Sequence, residues 1–180
     1  MDTIALFGGS FDPPHVGHEA IVKELQNLNY IDKIIVMPTF LNPFKTEFTA
    51  PAELRLQWLE CIFLNDKDVL VDGYEVSLGK KVPTMQTVNH LLQSYDKIFL
   101  VIGADNLRNL REWFHFKELQ KKVTFIVASR ENIEVPKTFI SLRVKEDISS
   151  STLRKNIDEK KIPKKCAKEI AQYYKEKNEQ

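Results

Sequence analysis

Short apolar runs with the length of buried strands alternate along this chain with segments in which apolar residues recur at the spacing of an α-helix. Strands that alternate with helices in this way are typical of βαβ units around a parallel sheet. We therefore predict an α/β fold, with an open, mostly parallel sheet and helices on both of its faces. The predicted strands are Thr3–Phe7, Lys33–Met37, Val69–Leu78 with a bend at Asp72–Gly73, Lys97–Ile102, Val123–Ala128 and Thr138–Val144.

The predicted helices fill the intervals between these strands. They lie at His15–Leu28, after Pro51, at Thr84–Tyr95 and, less regularly, at Ala104–Gln120, and two more follow Ser149–Ser151 and Pro163. The chain of 180 residues shows no internal repeat, low-complexity segment or linker. We therefore predict a single domain over 1–180, with a helical C-terminal part over roughly 149–180.

The composition narrows the class of protein. Hydrophobic residues make up 43% and charged residues 28% of the chain, as in ordinary globular proteins. The net charge of +1 gives no electrostatic reason to expect nucleic acid or a membrane as partner. No apolar run approaches the ~20 residues of a spanning helix, and the first residues lack the basic and then apolar order of a signal peptide. We expect a cytoplasmic protein, whose oligomeric state the sequence does not specify.

Two cysteines, Cys61 and Cys166, lie more than a hundred residues apart in the sequence. Neither belongs to a CxxC pair or lies near a histidine cluster. We therefore expect neither a disulfide framework nor a zinc site, as is usual in a reducing compartment.

Ligands bind an open α/β sheet beyond the carboxyl ends of its strands. Four segments of this chain have that position. They are Gly8–His18, Pro38–Lys45, Gly103–Asp105 and Ser129–Arg130.

The segment Gly8–His18 follows the first predicted strand and opens the first predicted helix. Its leading glycines let backbone N–H groups approach a phosphate, and the helix N-terminus adds unpaired donors with a partial charge of about half a unit. His15 and His18 are three residues apart, so in the first helical turn they face the same way, and Gly17 keeps that face open. Two imidazoles beside such donors suit the charge that develops in phosphoryl or nucleotidyl transfer.

Two other interpretations of this segment are a tight turn with incidental histidines and a metal-binding pair. Half of the chain's four histidines lie in this HxGH pattern, directly after a glycine-rich turn, which favours a functional role. Zinc-binding histidines on a helix are more often four residues apart, and no third ligand lies nearby in the sequence. We therefore predict no metal held by the protein here.

A serine run at Ser149–Ser151 is followed by Arg154. Serines at a helix entry cap N–H groups, and an arginine one turn later offers two parallel hydrogen bonds to a phosphate. Alone, this pattern also fits a capped helix with a surface arginine. Together with the first motif, it predicts a clamp for the outer phosphates of a triphosphate.

The segment Gly8–His18 resembles the signature of the HxGH nucleotidyltransferase superfamily, and Ile148–Arg154 resembles the ISSTxxR element of the same enzymes. The resemblance implies a Rossmann-like fold. Further segments are similar to those of bacterial nicotinate mononucleotide adenylyltransferases, so the similarity extends over nearly the whole chain. They are Pro38–Lys45, Thr84–Thr87, Val101–Leu107 with Trp113, and Ile162–Pro163.

The resemblance implies adenylyl transfer from ATP to nicotinate mononucleotide, which gives deamido-NAD and pyrophosphate in NAD biosynthesis. It implies that His15, His18 and Arg154 stabilise charge during transfer. It also implies that Trp113 stacks on the pyridine ring and Thr84 lies beside its carboxylate. The implied ATP-binding residues are Gly8, Gly9, Ser10, Phe11, Gly103, Asp105, Arg130, Ser149, Ser150 and Ser151, and the implied acceptor-binding residues are Lys45, Thr84 and Trp113.

The attacking phosphate monoester is already an anion, so direct in-line attack on the α-phosphorus of ATP needs no strong base. No nucleophile and base pair in the sequence suggests a covalent intermediate. Mg²⁺ would arrive on the ATP phosphates, because the sequence has no carboxylate cluster to enclose it.

Two departures from the family concern the acceptor side. Val82-Pro83 replaces the usual Ser-Tyr before Thr84, and Phe44 replaces the usual histidine before Lys45. Thr84 also fits a helix N-cap, and Trp113 also fits a core aromatic.

The sequence leaves alternative functions open. Phosphopantetheine adenylyltransferases share the serine run, but they usually have threonine in place of His15 and lysine in place of Arg154. An adenylyltransferase for both pyridine nucleotides and a cytidylyltransferase are further alternatives. A non-catalytic nucleotide-binding module is the alternative from another class, although such a module has no physical reason to retain both histidines and the arginine.

Overall fold

The computed structural model describes residues 2–129 and 133–180. Within these ranges six strands form one sheet: β1 (Thr3–Gly9), β2 (Lys33–Pro38), β3 (Val69–Val71), β4 (Lys97–Gly103), β5 (Val123–Ser129) and β6 (Ile140–Arg143). The strand order is β3-β2-β1-β4-β5-β6, and every neighbouring pair is parallel. The predicted α/β class is confirmed, and the sheet is parallel throughout. This is the strand order of the Rossmann fold.

In the described part of the chain, seven α-helices connect or follow the strands. They are α1 (Val16–Gln26), α2 (Ala52–Phe63), α3 (Tyr74–Ser77), α4 (Thr84–Leu91), α5 (Phe116–Lys122), α6 (Ser150–Lys155) and α7 (Ala167–Asn178). The irregular segment predicted after β4 contains two turns of 3₁₀-helix, Ala104–Arg108 and Leu110–Glu112, before α5 begins. No helix in the described part of the chain has the length and apolar character needed to cross a membrane.

Two apolar cores cover the two faces of the sheet, which explains why the inner strands are continuous apolar runs. On one face α1, α2 and α7 contribute buried side chains such as Val22, Leu59 and Ile170. On the other face α4 and α5 contribute Val88 and Leu119. The prediction of helices on both faces is therefore confirmed.

The predicted strand Val69–Leu78 is wrong beyond its third residue. Strand β3 ends at Val71, and α3 begins at Tyr74. The carboxylate of Asp72 accepts a hydrogen bond from the backbone N–H of Tyr74 at 2.8 Å, which turns the chain and removes this N–H from strand pairing. A local hydrogen bond therefore ends the strand at the predicted bend.

The expectation that the two cysteines form no disulfide is also wrong. Cys61, near the end of α2, is bonded to Cys166, directly before α7, with their Cα atoms 6.7 Å apart. Helix α2 and the turn that precedes α7 lie on the same face of the sheet. Separation along the sequence does not report this proximity, because it arises only when both segments pack on the sheet.

From β1 the chain proceeds through β2 and β3 to one edge of the sheet, and it then returns to β4 beside β1 and proceeds through β5 and β6 to the other edge. The strand order therefore reverses between β1 and β4, which is the switch point of the sheet. In open α/β sheets the ligand crevice forms at this point, beyond the carboxyl ends of the strands. The loops that follow β1, β2 and β4 all meet there.

Candidate active site

Helix α1 begins with reciprocal hydrogen bonds made by its two histidines. Nδ1 of His15 accepts a hydrogen bond from the backbone N–H of Gly17 at 3.1 Å, and the backbone N–H of His15 donates to Nδ1 of His18 at 3.1 Å. This is a capping box in which imidazoles replace the usual hydroxyl and carboxylate. The rings are stacked with their centroids 3.7 Å apart, so the two histidines do face the same way.

These hydrogen bonds determine where each histidine has its proton. A neutral imidazole that accepts at Nδ1 has its hydrogen on Nε2. Burial, and secondly the neighbouring His15, lower the pKa of His18 well below its ordinary value, so its neutral form predominates. His18 therefore offers a neutral Nε2–H donor at the start of α1, which can stabilise a developing negative charge by a hydrogen bond.

The surroundings fix these rings in place. A Cβ atom at Gly17 would lie 2.9 Å from two atoms of the His15 ring, so any larger residue at this position would displace that ring. The ring of Phe11 meets that of His18 edge to face, with 4.7 Å between centroids, and the Phe11 side chain is only 1% exposed. The Phe11 side chain therefore supports His18 by packing and does not face an open site.

Asp12, within the same loop, is the centre of a buried network. Its carboxylate accepts hydrogen bonds from the backbone N–H groups of Thr49 and Ala50 at 2.8 and 3.0 Å, and from the hydroxyl of Tyr174. Burial, and secondly Asp12, raise the pKa of Tyr174, so its hydroxyl remains a donor. The network attaches the loop after β1 both to the start of α2 and to α7.

Arg55 joins the loops after β1 and β2 through hydrogen bonds to three backbone carbonyls. Its guanidinium donates to the backbone carbonyl oxygens of Ala50 and Phe40, each at 2.9 Å, and to that of Ser10. Arg55 is 1% exposed, and burial is the main cause that lowers its pKa, opposed by the attraction of Asp12. One buried cation therefore fixes the loops after β1 and β2 relative to each other.

Sequence reasoning missed this network, although one signal was present. Arg55 lies on the face of α2 that also contains the buried residues Ala52, Trp58, Leu59 and Ile62. A charged residue within an apolar helical stripe is almost never buried unless it is paired. The partners of Asp12 have no comparable signal, since Tyr174 is 162 residues away.

The serine motif and the histidine motif meet across the crevice. Ser149 is the N-cap of α6 and accepts a hydrogen bond from the backbone N–H of Thr152, as predicted. Ser150 donates through its hydroxyl to the carbonyl oxygen of Pro13 at 2.9 Å, and Arg154 donates to that of Asp12. The serine motif and the loop after β1, joined by residues 137 positions apart in the sequence, therefore form one wall of the crevice.

Lys45 approaches this wall from the loop after β2. Its Nζ lies 3.5 Å from Oγ of Ser10. Burial lowers the pKa of Lys45, and the positive charges of Arg154 and Arg55 lower it further, against an opposing effect of Asp12. Lys45 and the two guanidinium groups that lower its pKa form an electropositive basin, and this basin is suited to binding an anion.

The segment after β4 lies on the other side of the switch point. A Cβ atom at Gly103 would lie 2.5 Å from Oδ1 of Asp105, so the carboxylate of Asp105 contacts the backbone there. Asp105 is exposed. Trp113 is half-buried against the second core, which gives it a packing role, yet its indole Nε1 is buried without a partner among the described residues.

Further buried polar atoms without a described partner follow the carboxyl ends of neighbouring strands. Besides Trp113, they belong to Thr39 after β2, Glu75 after β3 and Asn109 after β4. Buried polar atoms in folded proteins are almost always paired, so such atoms beside a crevice indicate a ligand or water position.

Helix α4 begins at Thr84, as predicted, but Pro83 is its N-cap and makes no side-chain capping bond. The N-cap alternative for Thr84 is therefore wrong. The backbone N–H groups of Thr84 and Met85 are the first two of the helix and have no acceptor within it. Those of Gln86 and Thr87 reach the carbonyl of Pro83.

A cavity of about 590 Å³ lies against the outer side of α1, and charged side chains, including Glu19 and Lys23, make up most of its lining. Its walls are the outer side of α1, including Val16 and Ala20, the segment 146–148 before the serine motif, and Lys160 and Lys161. Among the described residues, no group of three or more His, Cys, Asp or Glu side chains could hold a metal ion.

The remaining predicted residues are placed as follows. Gly8 and Gly9 end β1, and Ser151 is exposed with its hydroxyl 3.3 Å from that of Ser149. Arg130 lies outside the described residues. The structure therefore brings the two histidines, Ser10, Lys45, Ser150 and Arg154 around one loop, and it places Gly103, Asp105, Trp113 and Thr84 on neighbouring elements.

Comparisons with known proteins identify the family of this chain. A family model described as cytidylyltransferase-like matches residues 6–156. A probable nicotinate-nucleotide adenylyltransferase of Sulfurimonas denitrificans is 60% identical over 99% of this chain and 98% of its own length. One of Campylobacter fetus is 46% identical over 97% of this chain and 98% of its own length.

The fold also matches a solved structure, the Plasmodium falciparum nicotinic acid mononucleotide adenylyltransferase complexed with NaAD. The TM-score is 0.77 at 22% identity, over 99% of this chain and 97% of the other. A match at this identity supports the fold alone, while the relatives above support the family. The chain therefore belongs to the cytidylyltransferase-like family and, within it, to the nicotinate-nucleotide adenylyltransferases, which are nucleotidyltransferase enzymes.

Proposed function

We propose that this enzyme transfers the adenylyl group of ATP to nicotinate mononucleotide and releases pyrophosphate, as a cytoplasmic step of NAD biosynthesis. The observation that supports the proposal most directly is the meeting of His18, Lys45 and Arg154 around the loop after β1. Neutral N–H donors and two cations at a helix N-terminus suit a polyphosphate chain.

In the proposed reaction, a phosphate oxygen of the acceptor attacks the α-phosphorus, and the bond from that phosphorus to the bridging oxygen of the β-phosphate breaks. The electron pair of the broken bond leaves with pyrophosphate. Nε2–H of His18 and the guanidinium of Arg154 stabilise the charge on the transferred and leaving groups, while Lys45 orients a phosphate. No group has to accept a proton from the acceptor.

The hydrogen-bond donors in the site are compatible with a metal ion that is bound to ATP and not to the protein. Imidazole N–H, ammonium and guanidinium groups bind phosphate oxygens, whereas Mg²⁺ requires oxygen ligands. We propose that Mg²⁺ is held by the phosphates themselves and neutralises part of their charge. His15, His18 and Arg154 would then contact the remaining phosphate oxygens.

The two sides of the switch point would receive the two substrates. The side that contains His18, Lys45 and Arg154 would receive the triphosphate of ATP. On the acceptor side, the indole of Trp113 offers a flat surface for the pyridine ring, and the first N–H groups of α4 offer donors to its carboxylate. Gly103 at the end of β4 and Asp105 directly after it would hold the adenosine, as the family resemblance implies.

Pyrophosphate release from ATP with a panel of acceptors tests the proposal. We expect release with nicotinate mononucleotide, and none with phosphopantetheine or without an acceptor. Mass analysis should identify the product as nicotinate adenine dinucleotide. Release with phosphopantetheine alone would overturn the proposal, and so would binding of ATP without turnover of any acceptor.

A further inference from the structure

Glu75 is a buried carboxyl group that the reaction described above does not use. It is 6% exposed, and one of its oxygens, Oε1, accepts a hydrogen bond from the hydroxyl of Thr87 at 2.5 Å. The other oxygen, Oε2, is buried and has no partner among the described residues. Burial of a carboxyl group with incomplete hydrogen bonding opposes folding. We therefore ask what Glu75 does for the site.

The bond from Thr87 to Glu75 is one of several contacts that attach α4 to α3. The rings of Tyr74 and His90 are stacked 3.8 Å apart and 2° from parallel. The side-chain amide of Gln86 lies 3.5 Å from the hydroxyl of Tyr74. Helix α4 has only eight residues, too few to be stable alone, so contacts of this kind determine its orientation.

Thr87 transmits this orientation to the start of α4. It follows Thr84 by three residues, so the two side chains lie on the same face, one turn apart. A rotation of α4 that breaks the bond between Thr87 and Glu75 also rotates the N–H groups of Thr84 and Met85. The bond is fully buried, because Thr87 is 1% exposed, so water cannot readily replace it.

We propose that Glu75 is a positioning residue for the acceptor: through Thr87 it fixes the rotation of α4, and with it the N–H groups that receive the pyridine carboxylate. This inference rests on the proposed function. Glu75 touches neither substrate and acts only through α4.

The charge of Glu75 is compatible with this role. Burial raises the pKa of Glu75 to about 7; the hydrogen bond from Thr87 opposes this rise, and the charge of Asp72 adds to it. A carboxyl group that is readily neutral can lie one helical turn from an anion without strong repulsion. An ionised glutamate would repel the carboxylate of the acceptor.

Two pairs of variants test the proposal by steady-state kinetics. Glu75→Leu and Thr87→Val remove the acceptor and the donor of the bond, whereas Glu75→Gln and Thr87→Ser retain it. We expect the first pair to raise the KM for nicotinate mononucleotide about tenfold, the effect of one hydrogen bond to a charged group. The KM for ATP should remain within about twofold of the wild-type value, and the conservative pair should resemble the wild type.

A second readout separates positioning from general damage. The ratio of kcat/KM between the nicotinate and nicotinamide nucleotides should fall in Glu75→Leu and Thr87→Val, because misplaced N–H groups no longer favour the anion. Equal changes in both KM values, or an unchanged ratio, would overturn the proposal. The wild type in the same assay tests the proposed function: if it turns over no pyridine nucleotide, the function and this inference both fail. Variants too unstable for kinetics are replaced by the milder Thr87→Ala, to which the same criteria apply.

Discussion

Replacement of Arg55 by lysine removes a planar group that donates to three backbone carbonyls, those of Ala50, Ser10 and Phe40. A lysine nitrogen can occupy only one of these three positions, so two carbonyl oxygens lose their donor. A buried acceptor without a donor costs ~1–3 kcal/mol, and two of the three bonds are only partly buried, so water offsets part of this cost. We expect the free energy of unfolding to fall by about 2–4 kcal/mol.

Urea unfolding followed by tryptophan fluorescence measures this change, and thermal unfolding should show a midpoint lower by about 4–16 °C. Arg143→Lys is a matched control, because Arg143 is exposed on β6 and should change stability by less than about 0.5 kcal/mol. The loops that contain Ser10 and Phe40 also flank Lys45, so kcat/KM of Arg55→Lys should fall even where the variant is fully folded. Wild-type stability in Arg55→Lys would refute the assignment of Arg55 as the link between these loops.

Three further predictions concern single groups. His18→Ala should lower kcat by ~10²–10³ without loss of the fold. In the control His115→Ala, which changes an exposed histidine, kcat should stay near the wild-type value. Unchanged turnover of His18→Ala in a pyrophosphate assay would contradict a catalytic role of His18. Arg154→Lys should raise the KM for ATP several-fold more than the KM for the acceptor, because lysine cannot make the bidentate contact with a phosphate. Equal increases of both KM values in a two-substrate titration would indicate a structural role of Arg154 instead. Glu75→Gln should become more stable relative to the wild type as pH rises. Because burial raises the pKa of Glu75 from 4.5 to about 7, ionisation of Glu75 is less favourable in the folded than in the unfolded protein. The wild type therefore keeps its full stability below pH 4.5 and loses stability as pH rises through 7. The difference between the two proteins should grow by ~1–3 kcal/mol between about pH 5 and about pH 8, and parallel stability curves would contradict it.

The sheet, the strand-to-helix turn and the serine cap could be predicted because local patterns determine them. Strand β1 is apolar over its length since both faces are covered, and Ser149 caps α6 by a bond to a residue three positions away. His15 and His18 face the same way because His15 caps α1 and His18 lies in the first turn that it caps. Such features depend on neighbours in the sequence.

The features that were missed depend on residues that only the fold brings together. The carboxylate of Asp12 accepts a hydrogen bond from Tyr174 on α7, and Cys61 forms a disulfide with Cys166 on the same face of the sheet. The end of β3 was missed for a different reason, since the hydrogen bond between Asp72 and Tyr74 competes locally with an otherwise strand-like composition. Hydrophobic periodicity does not report such a bond.

The preference between two acceptors that differ only in a carboxylate and a carboxamide tests the central claim most directly. The first N–H groups of α4, at Thr84 and Met85, can donate hydrogen bonds to a carboxylate. A carboxamide would present its own N–H donors to one of these groups. An unpaired buried donor costs ~1–3 kcal/mol, which corresponds to a preference of roughly tenfold to over a hundredfold. The measurement is kcat/KM for nicotinate and nicotinamide mononucleotide in parallel at saturating ATP. A preference of this size for the nicotinate nucleotide is the predicted result, and comparable values for the two acceptors would contradict the account.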